Sequence, residues 1–250
     1  MKKHTKKRKK IYIPSSGGLL KVLPSIITLS AFCCGVTAIR MAIDNKLEKS
    51  LGLLVIAGIM DMMDGRVARI TGQESSIGAE LDSLSDLVCF GVAPGLIAYI
   101  TVLKEMPKIG WAISLFYIAC CAFRLARFNV MLDDKSSTIN YFTGIPAPAG
   151  AAFCLLPMQM FLASYNDIFL HKYPVAACVI LSALCMISSF RTPSFKHIHL
   201  HKEHMMKYMF LVLLIILGSM TYFWQTISCV TIFYLSWIPM ALLYRKKKAT

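Results

Sequence analysis

The chain has 250 residues, 56% of them hydrophobic, and a mean hydropathy of +0.60. Its formal net charge is +14, from 27 Lys and Arg against 13 Asp and Glu, and the charges collect between apolar runs. This pattern excludes a water-soluble globule and predicts an all-α, polytopic membrane bundle. No folded basic domain is left to present the charge to nucleic acid, so it reads as topology and attraction to anionic headgroups.

In chain order, residues 1–22 are a basic cytoplasmic segment with eight Lys or Arg between Lys2 and Lys21. The charges stand far from the first apolar run and no small-residue cleavage site follows closely, so no cleavable signal peptide is expected. Apolar runs of spanning length follow at about Ile26–Ile43, Leu51–Ile70, Ser76–Leu103, Ile109–Ala126, Ile145–Ser164, Tyr173–Phe190, Met206–Phe223 and Thr226–Tyr244. They predict about eight transmembrane helices. The third run is over-long, with a break expected near Pro94. With both termini inside, 21 of the 27 basic residues fall on cytoplasmic segments, as the positive-inside bias requires for an even number of spans. All nine cysteines lie in apolar segments and none forms a C-x-x-C pair, so they read as packing residues.

The second run carries Asp61-x-x-Asp64-Gly65-x-x-Ala68-Arg69 and, eight residues on, the third carries Gly78-x-x-x-Asp82-x-x-x-Asp86. An ionised side chain at bilayer depth costs several kcal/mol unless it is paired or coordinated. If the two runs turn near Gln73 as a helical hairpin, Asp64 and Asp82 are equally far from the turn, and Asp61 and Asp86 nearly so. At ~1.5 Å of rise per residue the pairs then sit at similar depths, each helix presenting its acids on one face. Four converging carboxylates need protons, basic partners or divalent cations. Arg66 and Arg69 are too few to neutralise them. Hard oxygen ligands favour Mg²⁺, Mn²⁺ or Ca²⁺, and two such ions ~3.5–4 Å apart are a common clamp for substitution at phosphorus. Small residues at Gly65, Ala68, Gly78 and Ala79 let a ligand or helix come close to the backbone.

From Asp61 to Asp86 the chain resembles the CDP-alcohol phosphatidyltransferase family, matching its D-x2-D-G-x2-A-R-x8-G-x3-D-x3-D signature at every fixed position. The resemblance implies a six-helix catalytic core over 23–190, usually dimeric, and leaves 191–250 as a loop, two further spans and a basic tail. It implies that Asp61, Asp64, Asp82 and Asp86 hold two Mg²⁺ or Mn²⁺ ions and that Asp86 is also the base. Gly65 and Arg69, with Ser75 by position, would contact CDP-diacylglycerol.

Three further segments, Leu23 to Leu29, Phe123 to Asn129 and Gly144 to Ala149, look like the bacterial integral-membrane phosphatidylserine synthases of that family. The likeness reaches from about Leu23 to Gly150 and is weak afterwards. It implies transfer of a phosphatidyl group from CDP-diacylglycerol to L-serine, with release of CMP, at the cytoplasmic face of a bacterial inner membrane. Ser25 and Thr28 would add nucleotide contacts, although Ser25 stands where this subgroup usually has asparagine. Arg124, Arg127 and Asn129 are the candidates for binding serine, since its carboxylate needs a cation. Phosphorylated acceptors such as glycerol phosphate or inositol phosphate would want a larger basic pocket. A divalent-cation transporter would carry matching acids along later spans, and a scaffold gives no reason for the aspartates. His197, His199, His201 and His204 read as a wet interfacial loop, and Tyr222, Phe223, Trp224 and Trp237 as interface anchors.

Overall fold

Two helices, α1 (Gly18–Ile43) and α2 (Leu47–Thr71), pack along each other through Asp44, Asn45 and Lys46. Asn45 takes φ 59°, and the amides of Asn45 and Lys46 return to the carbonyls of Ala42 and Met41 at 3.0 and 2.9 Å. This left-handed helix ending satisfies the last carbonyls within a very short turn. The helices can approach because α1 buries a row of small residues, Ala31, Gly35, Ala38 and Ala42. Across that seam the Ser50 hydroxyl donates to the Ala38 carbonyl at 2.7 Å. A Cβ at Gly35 would stand 2.8 Å from the Cys89 sulfur, so the third span presses on the same row.

The structure, a computed structural model, describes residues 18–71, 76–133, 142–188, 191–192, 210, 213, 217–218 and 220–246. The third span joins α3 (Ser76–Asp86), a π-helical segment (Leu87–Val92) and α4 (Ala93–Thr101). It stays continuous through Pro94, where a break was expected. Pro94 has no N–H for the carbonyl of Phe90, four residues back, and its ring crowds that carbonyl. The π turn before it relieves the crowding, with the Ala93 amide reaching back to Val88. The Phe90 carbonyl is satisfied from another helix: the hydroxyl of Tyr117 donates to it at 2.8 Å. Tyr117 lies on α5 (Pro107–Asp133) and is fully buried.

The remaining described helices are α6 (Ala147–Cys154), α7 (Leu156–Ser164), α8 (Lys172–Ile187) and α9 (Phe223–Lys246). A short antiparallel pair, β1 (Phe142–Thr143) with β2 (Arg191–Thr192), joins the approach to α6 to the exit from α8, in the register Phe142↔Thr192 and Thr143↔Arg191. Gly144 is required beside it. Its φ is +78°, and a Cβ there would stand 2.7 Å from the Met186 carbonyl. The core, filled by Tyr117, Ile97, Leu103, Met158 and Met186, lies among α4, α5, α7 and α8.

The expectation of about eight transmembrane helices is corrected. Among the described residues three helices are long and apolar enough to cross a membrane: Leu23–Ile43, Ile77–Thr101 and Pro107–Val130. A fourth span exists if α6 and α7, bent by 53°, count as one. Pro157 sits at the start of α7, so the bend has an ordinary cause. α2 is long enough, but Asp61, Asp64, Arg66 and Arg69 interrupt its apolar length. At 16 residues α8 falls short of the bilayer core. Met206–Phe223 and the α9 side chains beyond Ser236 lie largely outside the described residues. The six-helix core does not emerge as a distinct unit either, because α9 packs on α7 and α6.

Trp224 also departs from its reading as an interface anchor. It is 8% exposed, and its indole nitrogen donates to Glu48 at 3.5 Å, whereas Tyr222 and Phe223 are exposed. The side chain of Trp237 and the four loop histidines lie outside the described residues. Replacing Tyr117 with Phe is expected to orphan the Phe90 carbonyl and to destabilise the bundle by about 1–3 kcal/mol, measured as denaturant unfolding in detergent. An unchanged midpoint would show that the carbonyl finds another donor.

Candidate functional site

The helical spacing of the acids places them together. One carboxylate oxygen from each of Asp61, Asp64 and Asp82 lies within 4.8 Å of the others. Asp64 is the deepest, 4% exposed, and both its oxygens are held: Thr28 donates its hydroxyl at 2.7 Å and the Gly65 amide donates at 2.6 Å. Thr28 is fixed in turn. Its carbonyl accepts from the Ser85 hydroxyl at 3.2 Å, and one turn on, the Cys89 thiol donates to the Ala31 carbonyl at 3.3 Å. These bonds tie α1 to α2 on one side and to the third span on the other.

Asp86 lies at the junction of α3 with the π segment, in the electrostatic field of Asp61, Asp82 and Arg124. Its Oδ1 is buried without a hydrogen-bond partner among the described residues. No ion pair joins any of the four acids to a basic side chain among those residues; the recorded pair, Arg40 with Asp44, is at the far end of α1. A buried, unpartnered carboxylate oxygen beside three clustered acids is what a hard divalent cation would satisfy, so the donor set fits such an ion.

The surroundings of the acids suit a ligand. Gly65 is exposed, and a Cβ built on it meets nothing within 4 Å. The chain's own packing therefore leaves open space beside the acids. Arg124, on α5, lies in the electrostatic field of Asp86 with no ion pair between them among the described residues, and its Nε is buried without a partner among those residues. Asn129 donates from Nδ2 to the Ser83 hydroxyl at 2.9 Å, which links α5 to the acidic helix next to Asp82. Arg127 and Ser25 are half-buried, Ser25 lying one turn before Thr28 on α1. Arg69 is on α2, but its side chain, like the whole of Ser75, lies outside the described residues.

Sequence reasoning missed Ser83 and Ser85, whose hydroxyls reach α5 and α1. Serines two to four residues from an acid are too common in helices to signal this.

The sequence pattern that describes CDP-alcohol phosphatidyltransferases matches residues 21–190. The chain belongs to this family. That stretch carries every acid of the cluster and reaches well beyond Gly150. Among its family relatives, a CDP-diacylglycerol–serine O-phosphatidyltransferase of Mycobacterium leprae (strain TN) is 47% identical over 135 residues, covering 53% of this chain and 45% of that protein. The chain thus spans about half the length of the mycobacterial relatives it matches. Family proteins of the same name are 35% identical in Helicobacter pylori (strain ATCC 700392 / 26695), covering 72% and 75% of the two chains, and 33% identical in Bacillus subtilis (strain 168), covering 71% and 93%.

Within this family site, Thr28→Val removes the donor that orients Asp64 and is expected to weaken Mn²⁺ binding by about tenfold, read by titration against the electron-spin signal of the free ion. Asp64→Asn should weaken it further. Equal Mn²⁺ affinity in all three proteins would mean that the cluster holds no ion.

Proposed function

We propose that the protein transfers the phosphatidyl group of CDP-diacylglycerol to the hydroxyl of L-serine, giving phosphatidylserine and CMP. The observation that carries this reading is the acidic cluster of Asp61, Asp64 and Asp82, in a chain whose family relatives bear that activity in their names. Asp61, Asp64, Asp82 and Asp86 would hold two Mg²⁺ or Mn²⁺ ions. When bound, such ions neutralise the diphosphate and the charge that develops on departing CMP.

The protein's own groups account for the rest. The space over Gly65 admits the nucleotide end of the lipid, and Arg69, Ser75, Ser25 and Thr28 are assigned to that side. Asp86 takes the proton from the serine hydroxyl as the new O–P bond forms and the bond to CMP breaks. A hydroxyl is hardly acidic in water, so a base within reach must act as attack proceeds. Arg124 receives the serine carboxylate, helped by Arg127 and Asn129. Arg124 in the electrostatic field of Asp86 is an arrangement that suits serine. Only two carbons separate the carboxylate of serine from its hydroxyl, so the cation and the base must be neighbours. In glycerol phosphate or inositol phosphate the anion is larger and farther from the reacting hydroxyl.

The site is assigned to the cytoplasmic face of a bacterial inner membrane, where a lipid donor and a water-soluble acceptor meet. A homodimer is the arrangement that the resemblance favours.

Membranes holding the protein, given radiolabelled CDP-diacylglycerol, should release CMP when serine is added and stop when EDTA is added. Release that needs a different alcohol would reassign the acceptor. Cation uptake without any release would make the protein a transporter. Asp86→Asn is expected to lower kcat by about a thousandfold while lipid binding persists, measured by single-turnover kinetics. Normal turnover in that variant would remove Asp86 as the base.

A further inference from the structure

α5 meets the third span along one stripe. Tyr117 donates to the Phe90 carbonyl, a Cβ on Gly91 would stand 3.1 Å from the Cys121 sulfur, and Leu125 is buried one turn further on. The next residue at this spacing of four is Asn129, whose Nδ2 donates to the Ser83 hydroxyl at 2.9 Å. The stripe thus ends on α3, among the acids. Ser83 stands three residues before Asp86 on that helix, so the two share a face with their Cβ atoms about 5–6 Å apart. One hydrogen bond and one helical turn therefore hold the carboxamide of Asn129 close to the carboxylate assigned as the base.

Serine carries an ammonium on the carbon next to its hydroxymethyl group, and the roles assigned so far give that cation no partner. The four acids suit it poorly, because they are assigned to divalent ions and a proton. A carboxamide oxygen suits it well, since it accepts from an ammonium without adding a charge that draws a further ion. The amide of asparagine has donors at one end of its plane and an acceptor at the other, so whatever holds one end decides what the other can meet. Ser83 holds Nδ2, which leaves Oδ1 for the ammonium, and no donor to that oxygen is recorded among the described residues. We infer that Ser83 is a positioning residue for the acceptor: its hydroxyl holds the Asn129 carboxamide so that Oδ1 receives the serine ammonium one turn from Asp86. This rests on the reading of Asn129 as part of the acceptor site.

Steady-state kinetics of the full chain in mixed micelles test it, with CDP-diacylglycerol and serine varied separately. Ser83→Ala is expected to raise the KM for serine roughly five- to tenfold, while the KM for CDP-diacylglycerol and the affinity for Mn²⁺ each change by less than about twofold. Ser83→Thr, which keeps the hydroxyl, should restore the serine KM to within about threefold. In an Asn129→Leu background, Ser83→Ala should add less than about twofold. The ammonium is tested with 3-hydroxypropionate, which has the carboxylate and hydroxyl of serine and a hydrogen in place of the ammonium. By kcat/KM the unaltered protein should prefer serine more than about thirtyfold, and Asn129→Leu should reduce that preference to less than about threefold. Failure of the parts can be told apart. No turnover with serine in the unaltered protein sinks the proposed activity and this inference with it. Where serine is accepted, an unchanged serine KM in Ser83→Ala overturns the role of Ser83 alone. Losses shared by CDP-diacylglycerol or Mn²⁺, or repeated in full in the Asn129→Leu background, would make Ser83 a strut of α3 and overturn the inference as well. A preference for serine that survives Asn129→Leu overturns the ammonium contact.

Discussion

Mutual repulsion of the aspartates is the constraint that organises this molecule. Asp61, Asp64 and Asp82 bring carboxylate oxygens within 4.8 Å of one another. At an effective dielectric of about 20, each ionised pair at such a distance repels by roughly 3–4 kcal/mol. Three pairs together approach the whole net stability of an ordinary domain, about 5–15 kcal/mol. Among the described residues no basic side chain pairs with them. Protons or cations must therefore share the site whenever it is assembled, and hard oxygen donors in that number suit a divalent ion.

Neutral hydroxyls, not charges, hold the acids in place meanwhile. Thr28 binds Asp64, and Ser85 binds the backbone of Thr28, so α1 acts as a splint between the two acid-bearing helices. A splint needs close contact, and the small residues along α1 supply it, with the Cys89 sulfur resting on Gly35. The π segment continues the same device. It starts directly after Asp86 and ends before Pro94, so a change of helical register falls where the last acid must be aimed. Tyr117 closes the gap that Pro94 leaves in the ladder. Hydrogen bonds shared with other helices thus reach Ser83, Ser85, Cys89 and Phe90, all in the stretch between Asp82 and Pro94.

How much of this the sequence made legible follows from what spacing can encode. Separations of three and four residues put Asp61 with Asp64, and Asp82 with Asp86, on one face of each helix, and equal distances from the turn near Gln73 set the two pairs at one depth. The neutral partners that other helices supply could not be read this way. The resemblance set Thr28 beside the nucleotide, and no spacing shows that its hydroxyl lies on Asp64. Trp224 had the composition of an interface anchor, but its burial against Glu48 depends on where α9 docks. The span count failed for a similar reason. A hydropathy reading sees the apolar run from Ile145 to Ser164, and it does not see that Pro157 bends it by 53°.

α2 shows why the same residues defeat a count of spans and reveal a site. Its first half is apolar, and its second half carries Asp61, Asp64, Arg66 and Arg69. Asp64 lies about 10 Å along the helix from its end at Thr71, and Asp82 lies about 9 Å from the start of α3 at Ser76. The interfacial layer on each side of the hydrocarbon is roughly 5–8 Å thick. The acids of both helices thus stand at matching distances from the loop that joins them, which on the proposed reading sets them near the boundary between headgroups and hydrocarbon. On that reading, a phosphate carried by a lipid reaches that depth from the membrane, and a small polar alcohol reaches it from water. Placed deeper, the charges would be out of the alcohol's reach; placed in the open loop, they would lose the low-dielectric surroundings that make their grip on a cation strong.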